Sequence, residues 1–112
     1  MKKKLYYLTT DAVNASAAEG LASAEGLDLE AAEPRDLPRL EREGAEVVLD
    51  WDCILPEDRS HLLNGSAVQL VGVHGFQIGD SVASFLPLRG IVVSRHLDQA
   101  FVAALAGRSR AA

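Results

Sequence analysis

Apolar residues in this chain form short unbroken runs, and the stretches between them carry apolar residues at helical spacing. Continuous apolar runs of this length are typical of strands buried on both faces of a parallel sheet. The second run instead alternates apolar and acidic residues, which favours a position at the edge of the sheet. The pattern predicts strands at Lys3–Thr9, Leu27–Ala31, the start of Ala45–Pro56, Ala67–Val73 and Ile91–Val93.

Capping residues mark the helices predicted between these strands. Asp11 stands where the first helix needs an N-cap, and Gly26 ends its apolar pattern. Asp98 has the same place before the last helix, which is predicted to end at Gly107 and to leave residues 108–112 as a frayed tail. The remaining helices are predicted at Arg35–Gly44, Glu57–Asn64 and Ser81–Leu88.

Strands that alternate with helices predict an α/β fold. Right-handed crossovers place helices on both faces of a parallel sheet, which gives three layers. A chain this short favours the doubly wound, flavodoxin-like strand order 2-1-3-4-5, whose ligand sites lie at the carboxyl ends of the strands. With 112 residues, we expect residues 1–112 to form a single domain.

Composition narrows the classes of partner and location. A formal net charge of −5 offers no basic field for nucleic-acid phosphates, so we expect no nucleic-acid binding. No segment approaches the roughly 20 apolar residues that a membrane helix needs. Cys53 is the single cysteine, which excludes an internal disulfide and fits a reducing, cytoplasmic location.

Two carboxylates at the end of the central strand are the leading site candidates. Asp50 and Asp52 share one strand face by the two-residue period, and Asp11 follows the first strand at the same edge. Together the three carboxylates could hold a divalent cation weakly. The alternatives are a solvated pair at the central strand, a turn-forming role for Asp52, and an N-cap role for Asp11, the last favoured by a wide margin.

A second, weaker metal hypothesis uses His74 and His96, which follow the fourth and fifth strands, together with Asp52. No local His spacing supports it. The chain also lacks a nucleophile elbow around its serines and a glycine-rich phosphate loop. The sequence therefore predicts no catalytic residues and no cofactor beyond a weakly held divalent cation.

The run Val47–Pro56 resembles the third strand of response-regulator receiver domains. In that family a phosphorylatable aspartate is followed by a proline four residues later, and Asp52 and Pro56 have this spacing. The resemblance extends thinly over the whole chain and implies a receiver fold in which Asp52 is equivalent to the phosphoacceptor.

The chain departs from the receiver pattern where the family binds its cation and senses phosphorylation. Thr9 and Thr10 replace the acidic pair after the first strand, which removes negative charge from the cation site. Gly72 stands at the position matched to the switch hydroxyl, and Arg95 at the position matched to the lysine. These changes predict a pseudo-receiver whose phosphorylation switch is lost or altered.

The resulting functional hypothesis is an atypical signalling domain that binds a protein partner or forms a homodimer, independently of phosphorylation. The resemblance implies a contact face on the fourth helix, fifth strand and last helix, which are marked by Phe85, Ile91 and Phe101. The alternative is a small-ligand or divalent-metal-binding α/β domain that uses the carboxyl edge of the sheet. An enzyme is the third hypothesis.

Overall fold

The computed structural model describes residues 4–111. Strands and helices alternate along this range. The strands are β1 (Leu5–Leu8), β2 (Leu29–Ala32), β3 (Glu46–Asp50), β4 (Gln69–His74) and β5 (Val92–Ser94). The helices are α1 (Ala12–Ala24), α2 (Leu37–Glu43), α3 (Pro56–Asn64), α4 (Asp80–Phe85) and α5 (Gln99–Ala111).

The five strands form one parallel sheet in the order β2-β1-β3-β4-β5. The predicted α/β fold, with its flavodoxin-like strand order, is therefore confirmed. Leu8 lies beside Leu49 in the register of β1 and β3, and Asp50 lies beside His74 in that of β3 and β4. These pairs bring the ends of the three central strands to one level at the carboxyl edge.

Each face of the sheet has its own hydrophobic core. One core joins Val47, Leu49 and Val73 to side chains of α2, α3 and α4, among them Leu40 and Leu62. The other core lies under α1 and α5, and its buried members are Leu5, Tyr7, Ala18, Ala22, Val48, Val71, Phe101, Val102 and Leu105. Alanine-rich α1 suits this second face because small side chains let the helix approach the sheet closely.

The predicted caps hold the helix ends. Asp11 Oδ1 accepts hydrogen bonds from the backbone N–H groups of Val13 and Asn14 at distances of 2.9 and 3.1 Å. Asp98 Oδ1 accepts one from the backbone N–H of Phe101 at 2.9 Å. Helix α2 ends at Gly44, which has a left-handed φ of 61° that glycine adopts without a steric penalty. Capping therefore fixes where the chain turns from strand to helix.

Several element boundaries differ from those predicted. The last helix continues through Gly107 to Ala111, so its end was placed too early, and Ala112 lies outside the described residues, as does Lys3 of the first strand. Pro87 has no N–H for a helical hydrogen bond, and the predicted fourth helix tightens into a 3-10 turn at Leu86–Arg89. The most consequential difference is at β3, which ends at Asp50 and passes into a 3-10 turn at Trp51–Cys53.

The outer side of β2 is a free sheet edge that a helix partly covers. Glu19 of α1 accepts a hydrogen bond from the backbone N–H of Ala31 at 3.3 Å. Lys4 Nζ lies 3.4 Å from Glu30 Oε1 across the first two strands. The predicted edge position of this acidic strand is thus confirmed.

Within residues 4–111, the longest helices, α1 and α5, have 13 residues each, and none has the length and apolarity to cross a membrane.

Candidate functional site

Three polar side chains are buried where the central strands end. Asp50 and His74 are the last residues of β3 and β4, and Thr9 directly follows β1. Because the strands are parallel and in register, these residues meet at one edge of the sheet. The sequence placed Asp50 and His74 at this edge. In the structure they lie side by side, and Tyr7 of β1 contacts His74.

Asp50 is 2% exposed, and its Oδ2 accepts hydrogen bonds from three side chains. Thr9 Oγ1 donates at 2.8 Å, Asn14 Nδ2 at 2.9 Å and Cys53 Sγ at 3.2 Å. A buried carboxylate is costly unless hydrogen bonds compensate the lost water. The donors of β1, α1 and the 3-10 turn supply that compensation, so Asp50 ties these three elements together.

The hydrogen-bonded residues at this edge are referred to as the polar cluster; they are Tyr7, Thr9, Asn14, Asp50, Cys53 and His74. Tyr7 and His74 form the part of the cluster that lies within the strands. The Tyr7 hydroxyl is hydrogen-bonded to His74 Nε2, and the two rings stack with centroids 5.5 Å apart. Phe101 of α5 meets the other side of the imidazole edge-on at 5.6 Å. His74 Nε2 is also 3.9 Å from Asp50 Oδ1. The imidazole is therefore enclosed by β1, β3 and α5.

Burial sets the protonation states of this pair. Loss of water raises the pKa of Tyr7 well above its usual value, and the charge of Asp50 adds to the effect. Loss of water lowers the pKa of His74, and the carboxylates of Asp50 and Asp52 oppose that shift only in part. At neutral pH the histidine is therefore neutral and the tyrosine protonated, and the tautomer of the imidazole decides which of the two donates.

Asp52 has a different role from Asp50. It lies in the 3-10 turn after β3, and its two oxygens accept the backbone N–H groups of Phe76 and Gln77, each at 2.9 Å. A Cβ on Gly75 would lie 2.9 Å from Asp52 Oδ1 and 2.8 Å from the Cβ of Trp51. The Asp52 side chain thus holds the loop after β4 in place, a contact with a distant segment rather than the turn in its own loop that the sequence suggested.

The other predicted site residues lie apart from this cluster. Asp11 acts as the N-cap of α1. Arg95 and His96 are exposed after β5, where Arg95 Nη2 is 3.9 Å from Asp80 Oδ1 and the His96 ring packs edge-on against Phe76 with centroids 5.2 Å apart. Neither metal hypothesis finds support from geometry, because residues 4–111 contain no group of three or more His, Cys, Asp or Glu side chains arranged to hold a metal ion.

Gly72 is not at the end of the fourth strand, as the match to the receiver pattern required. It lies in the middle of β4, between Val48 and Val92 of the neighbouring strands, and β4 continues to His74. A Cβ at this position would lie 2.7 Å from Leu105 Cδ2 of α5. Glycine is needed at this position because helix α5 approaches the strand closely. The residue at the end of β4 is His74.

Two of the three predicted interface residues are in the core. Ile91 is 6% exposed and Phe101 3%, because Ile91 packs in the core beneath α2, α3 and α4 and Phe101 in the core beneath α1 and α5. Only Phe85 is available to a partner, with 43% of its surface exposed. The sequence pattern identified these residues as apolar but could not separate inward from outward positions in such short elements.

Sequence reasoning missed four members of the cluster. Tyr7 was assigned only to an apolar strand, Thr9 only to an altered cation site, and Cys53 was used only to argue for a reducing location. Asn14 was not considered, although its place one turn after the Asp11 cap turns it toward the sheet end. A signal that could have indicated it is its position in the first turn of α1, directly after the carboxyl end of β1.

Searches of family models, of curated proteins and of solved structures find no match to this chain.

The buried histidine gives the domain a predicted pH dependence. Because the pKa of His74 lies below its usual value of 6.5 in the folded state, the unfolded chain takes up a proton first as the pH falls. Its contribution to stability is therefore complete above about pH 6.5 and declines below it, by up to about 1.4 kcal/mol per pH unit.

Urea unfolding at about pH 7.5 and about pH 5.5 measures this effect. The difference in unfolding free energy should shrink in His74→Gln, which cannot take up a proton. His96→Gln is the matched control, since His96 is exposed, and it should keep the full dependence. An unchanged dependence in His74→Gln would contradict the assignment.

Proposed function

We propose that this chain is a receiver-like signalling domain that acts through protein–protein contact, with a homodimer or another protein as partner, and without phosphorylation. The observation that carries this proposal is the state of the two carboxylates at and just after the end of β3. Asp50 Oδ2 and both oxygens of Asp52 accept hydrogen bonds from donors of the protein itself. A cytoplasmic location fits this role and is part of the proposal.

Phosphorylation of Asp52 would disturb the fold locally. The carboxylate oxygens accept the N–H groups of Phe76 and Gln77, and an acyl phosphate would turn one of those oxygens into a bridging ester oxygen, a poorer acceptor. The incoming dianionic group would also require a cation, and Thr9 and Thr10 stand where the resembling family has carboxylates. Asp50 cannot serve as a cation ligand in their place, because it is buried and its Oδ2 already accepts three hydrogen bonds.

Exposed apolar side chains support the contact role. Phe76 and Phe85 belong to one segment between β4 and β5, with 66% and 43% of their surfaces exposed. Aromatic side chains are enriched among the residues that anchor protein interfaces.

Treatment with acetyl phosphate and Mg²⁺ tests the phosphorylation-independent role. Intact-mass spectrometry should find no phosphoryl adduct on the wild-type protein, because the acceptor is engaged and the cation site lacks carboxylates. Asp52→Asn is the matched control and should likewise show no phosphoryl adduct. An adduct on the wild type that Asp52→Asn abolishes would refute the proposal.

Sedimentation velocity on the same samples measures whether self-association changes on treatment with acetyl phosphate. The sedimentation coefficient should be the same with and without acetyl phosphate, because association does not depend on a phosphoryl group. A change on treatment that is absent in Asp52→Asn would indicate a working phosphorylation switch.

A further inference from the structure

Three exposed apolar side chains surround the carboxyl edge of the sheet. Val13 is 76% exposed at the start of α1, Leu55 is 59% exposed before α3, and Phe76 is 66% exposed after β4. They are three of the five large hydrophobic side chains that are exposed among the described residues. We refer to Val13, Leu55 and Phe76 as the apolar rim.

The local structure holds the rim side chains in water. The backbone N–H groups of Val13 and Phe76 donate hydrogen bonds to the carboxylates of Asp11 and Asp52, which fixes two of the three backbones. Leu55 is held by Pro56, which begins α3 directly after it. The rim is therefore built by the same capping contacts that order the edge, and its members are displayed by three different strand-to-helix connections.

The same edge carries an excess of negative charge. Every helix of a parallel α/β fold begins near the carboxyl ends of the strands, so acidic residues at helix starts collect there. Those in the described structure, all exposed or half-exposed, are Asp11, Glu33, Asp36, Asp52, Glu57, Asp58, Asp80 and Asp98.

Arginines offset this charge only in part. Arg35 Nε lies 2.7 Å from Glu33 Oε2, and Arg95 Nη2 lies 3.9 Å from Asp80 Oδ1. Arg59 donates to the backbone carbonyl of Trp51 at 2.9 Å and stacks over its ring. The edge thus carries eight carboxylates and three guanidinium groups, which leaves it with an excess of negative charge.

We propose that the carboxyl edge binds a basic protein segment that carries apolar side chains. Its apolar side chains pack on the rim, and its lysine or arginine side chains lie among the surrounding carboxylates. Charge complementarity selects this occupant: nucleic acid and anionic membranes are repelled, and a second copy of the domain would bring an equally acidic edge. This proposal rests on the proposed function and names the chemistry of its partner.

Fluorescence anisotropy with defined peptides tests the proposal. The probe is a labelled amphipathic peptide built from lysine and leucine, and its counterpart has glutamate in place of every lysine. The lysine peptide should bind the wild-type domain and weaken as salt is added, while the glutamate peptide should not bind. Equal binding of both peptides, or no binding of the lysine peptide at low salt, would overturn the proposal.

Rim variants distinguish a specific site from general attraction to an acidic protein. Phe76→Ser and Leu55→Ser should each weaken the lysine peptide about tenfold, since each removes a large apolar contact. Leu88→Ser is the matched control, because Leu88 is more exposed than any rim residue and lies near the amino end of β5, and it should keep the wild-type affinity. Equal losses in Leu88→Ser and the rim variants would show that the rim is not the site.

The two proposals fail in different ways. If the lysine peptide does not bind and acetyl phosphate leaves no adduct, the acidic edge is not a docking site and the contact role stands. If Asp52 is phosphorylated, the proposed function is wrong whatever the peptides do.

Discussion

Replacing Asp50 with alanine should lower the free energy of unfolding by about 3–5 kcal/mol. The substitution leaves the donors of Thr9, Asn14 and Cys53 without their common acceptor inside the protein. Each unsatisfied buried donor costs about 1–3 kcal/mol, less whatever water recovers. Such a loss is a large part of the total stability of a small domain.

Urea unfolding followed by far-ultraviolet circular dichroism measures this loss. Asp50→Asn should be milder than Asp50→Ala, because the amide keeps one carbonyl oxygen that can take the place of Oδ2. Asp80→Ala is the exposed control and should change the unfolding free energy by no more than about 0.5 kcal/mol. If Asp50→Ala unfolded at the same urea concentration as the control, the cluster would not be the link between β1, β3 and α1.

Replacing Gly72 with valine should cost at least about 2–3 kcal/mol. Its Cβ would lie 2.7 Å from Leu105 Cδ2 and 3.3 Å from Phe101 Cζ, and the two further methyl groups add to this crowding. Because α5 lies directly over the strand, relief requires either a new Leu105 rotamer or a shift of the helix. Thermal or urea unfolding gives the size of the loss.

A second substitution separates crowding from an effect on strand formation. Leu105→Ala removes the nearest atoms, so it should be less damaging in the Gly72→Val background than in the wild type. Gly20→Ala is a matched glycine control, since a Cβ at this position of helix α1 would have nothing within 4 Å, and it should stabilise by about 0.5–1 kcal/mol. Additive losses for Gly72→Val and Leu105→Ala would exclude the proposed contact.

The sheet could be predicted because apolar runs and caps are local signals. The run at Val47, Val48 and Leu49 marks a strand buried on both faces, and Asp11 and Asp98 mark helix starts, whatever the rest of the chain does. Strand order then follows from the length of the chain and the handedness of the crossovers. Only the ends of elements were misplaced, where capping competes with helix or strand extension.

The site was predicted less completely because it depends on contacts between distant segments. The carboxyl ends of parallel strands place Asp50 and His74 together, whereas the sequence analysis grouped His74 with Asp52 and His96. The two-residue period predicted that Asp52 shares the strand face of Asp50, but β3 has already ended and the 3-10 turn aims Asp52 at the next loop. No sequence spacing could show that Asn14 and Thr9 complete the hydrogen bonding of Asp50.

The resemblance to receivers misplaced Gly72 for a related reason. The apolar run predicted a strand at Ala67–Val73, whereas β4 runs from Gln69 to His74 and its register with β3 shifts between Val47 and Val48. Counting along the chain therefore does not give the residue at the strand end. The requirement for glycine comes from α5, which is about 30 residues further along the chain.

The hydrogen bond from Ala31 to Glu19 has a consequence for the behaviour of many copies of the domain together. An open strand edge can template pairing with another chain and so seed aggregation. Here one backbone donor of β2 is already taken by a helix side chain, and Glu30 and Lys4 add charges beside it. A second strand that approached this edge would find a donor missing and charges to desolvate, so the β2 edge is protected against pairing with another copy at high concentration.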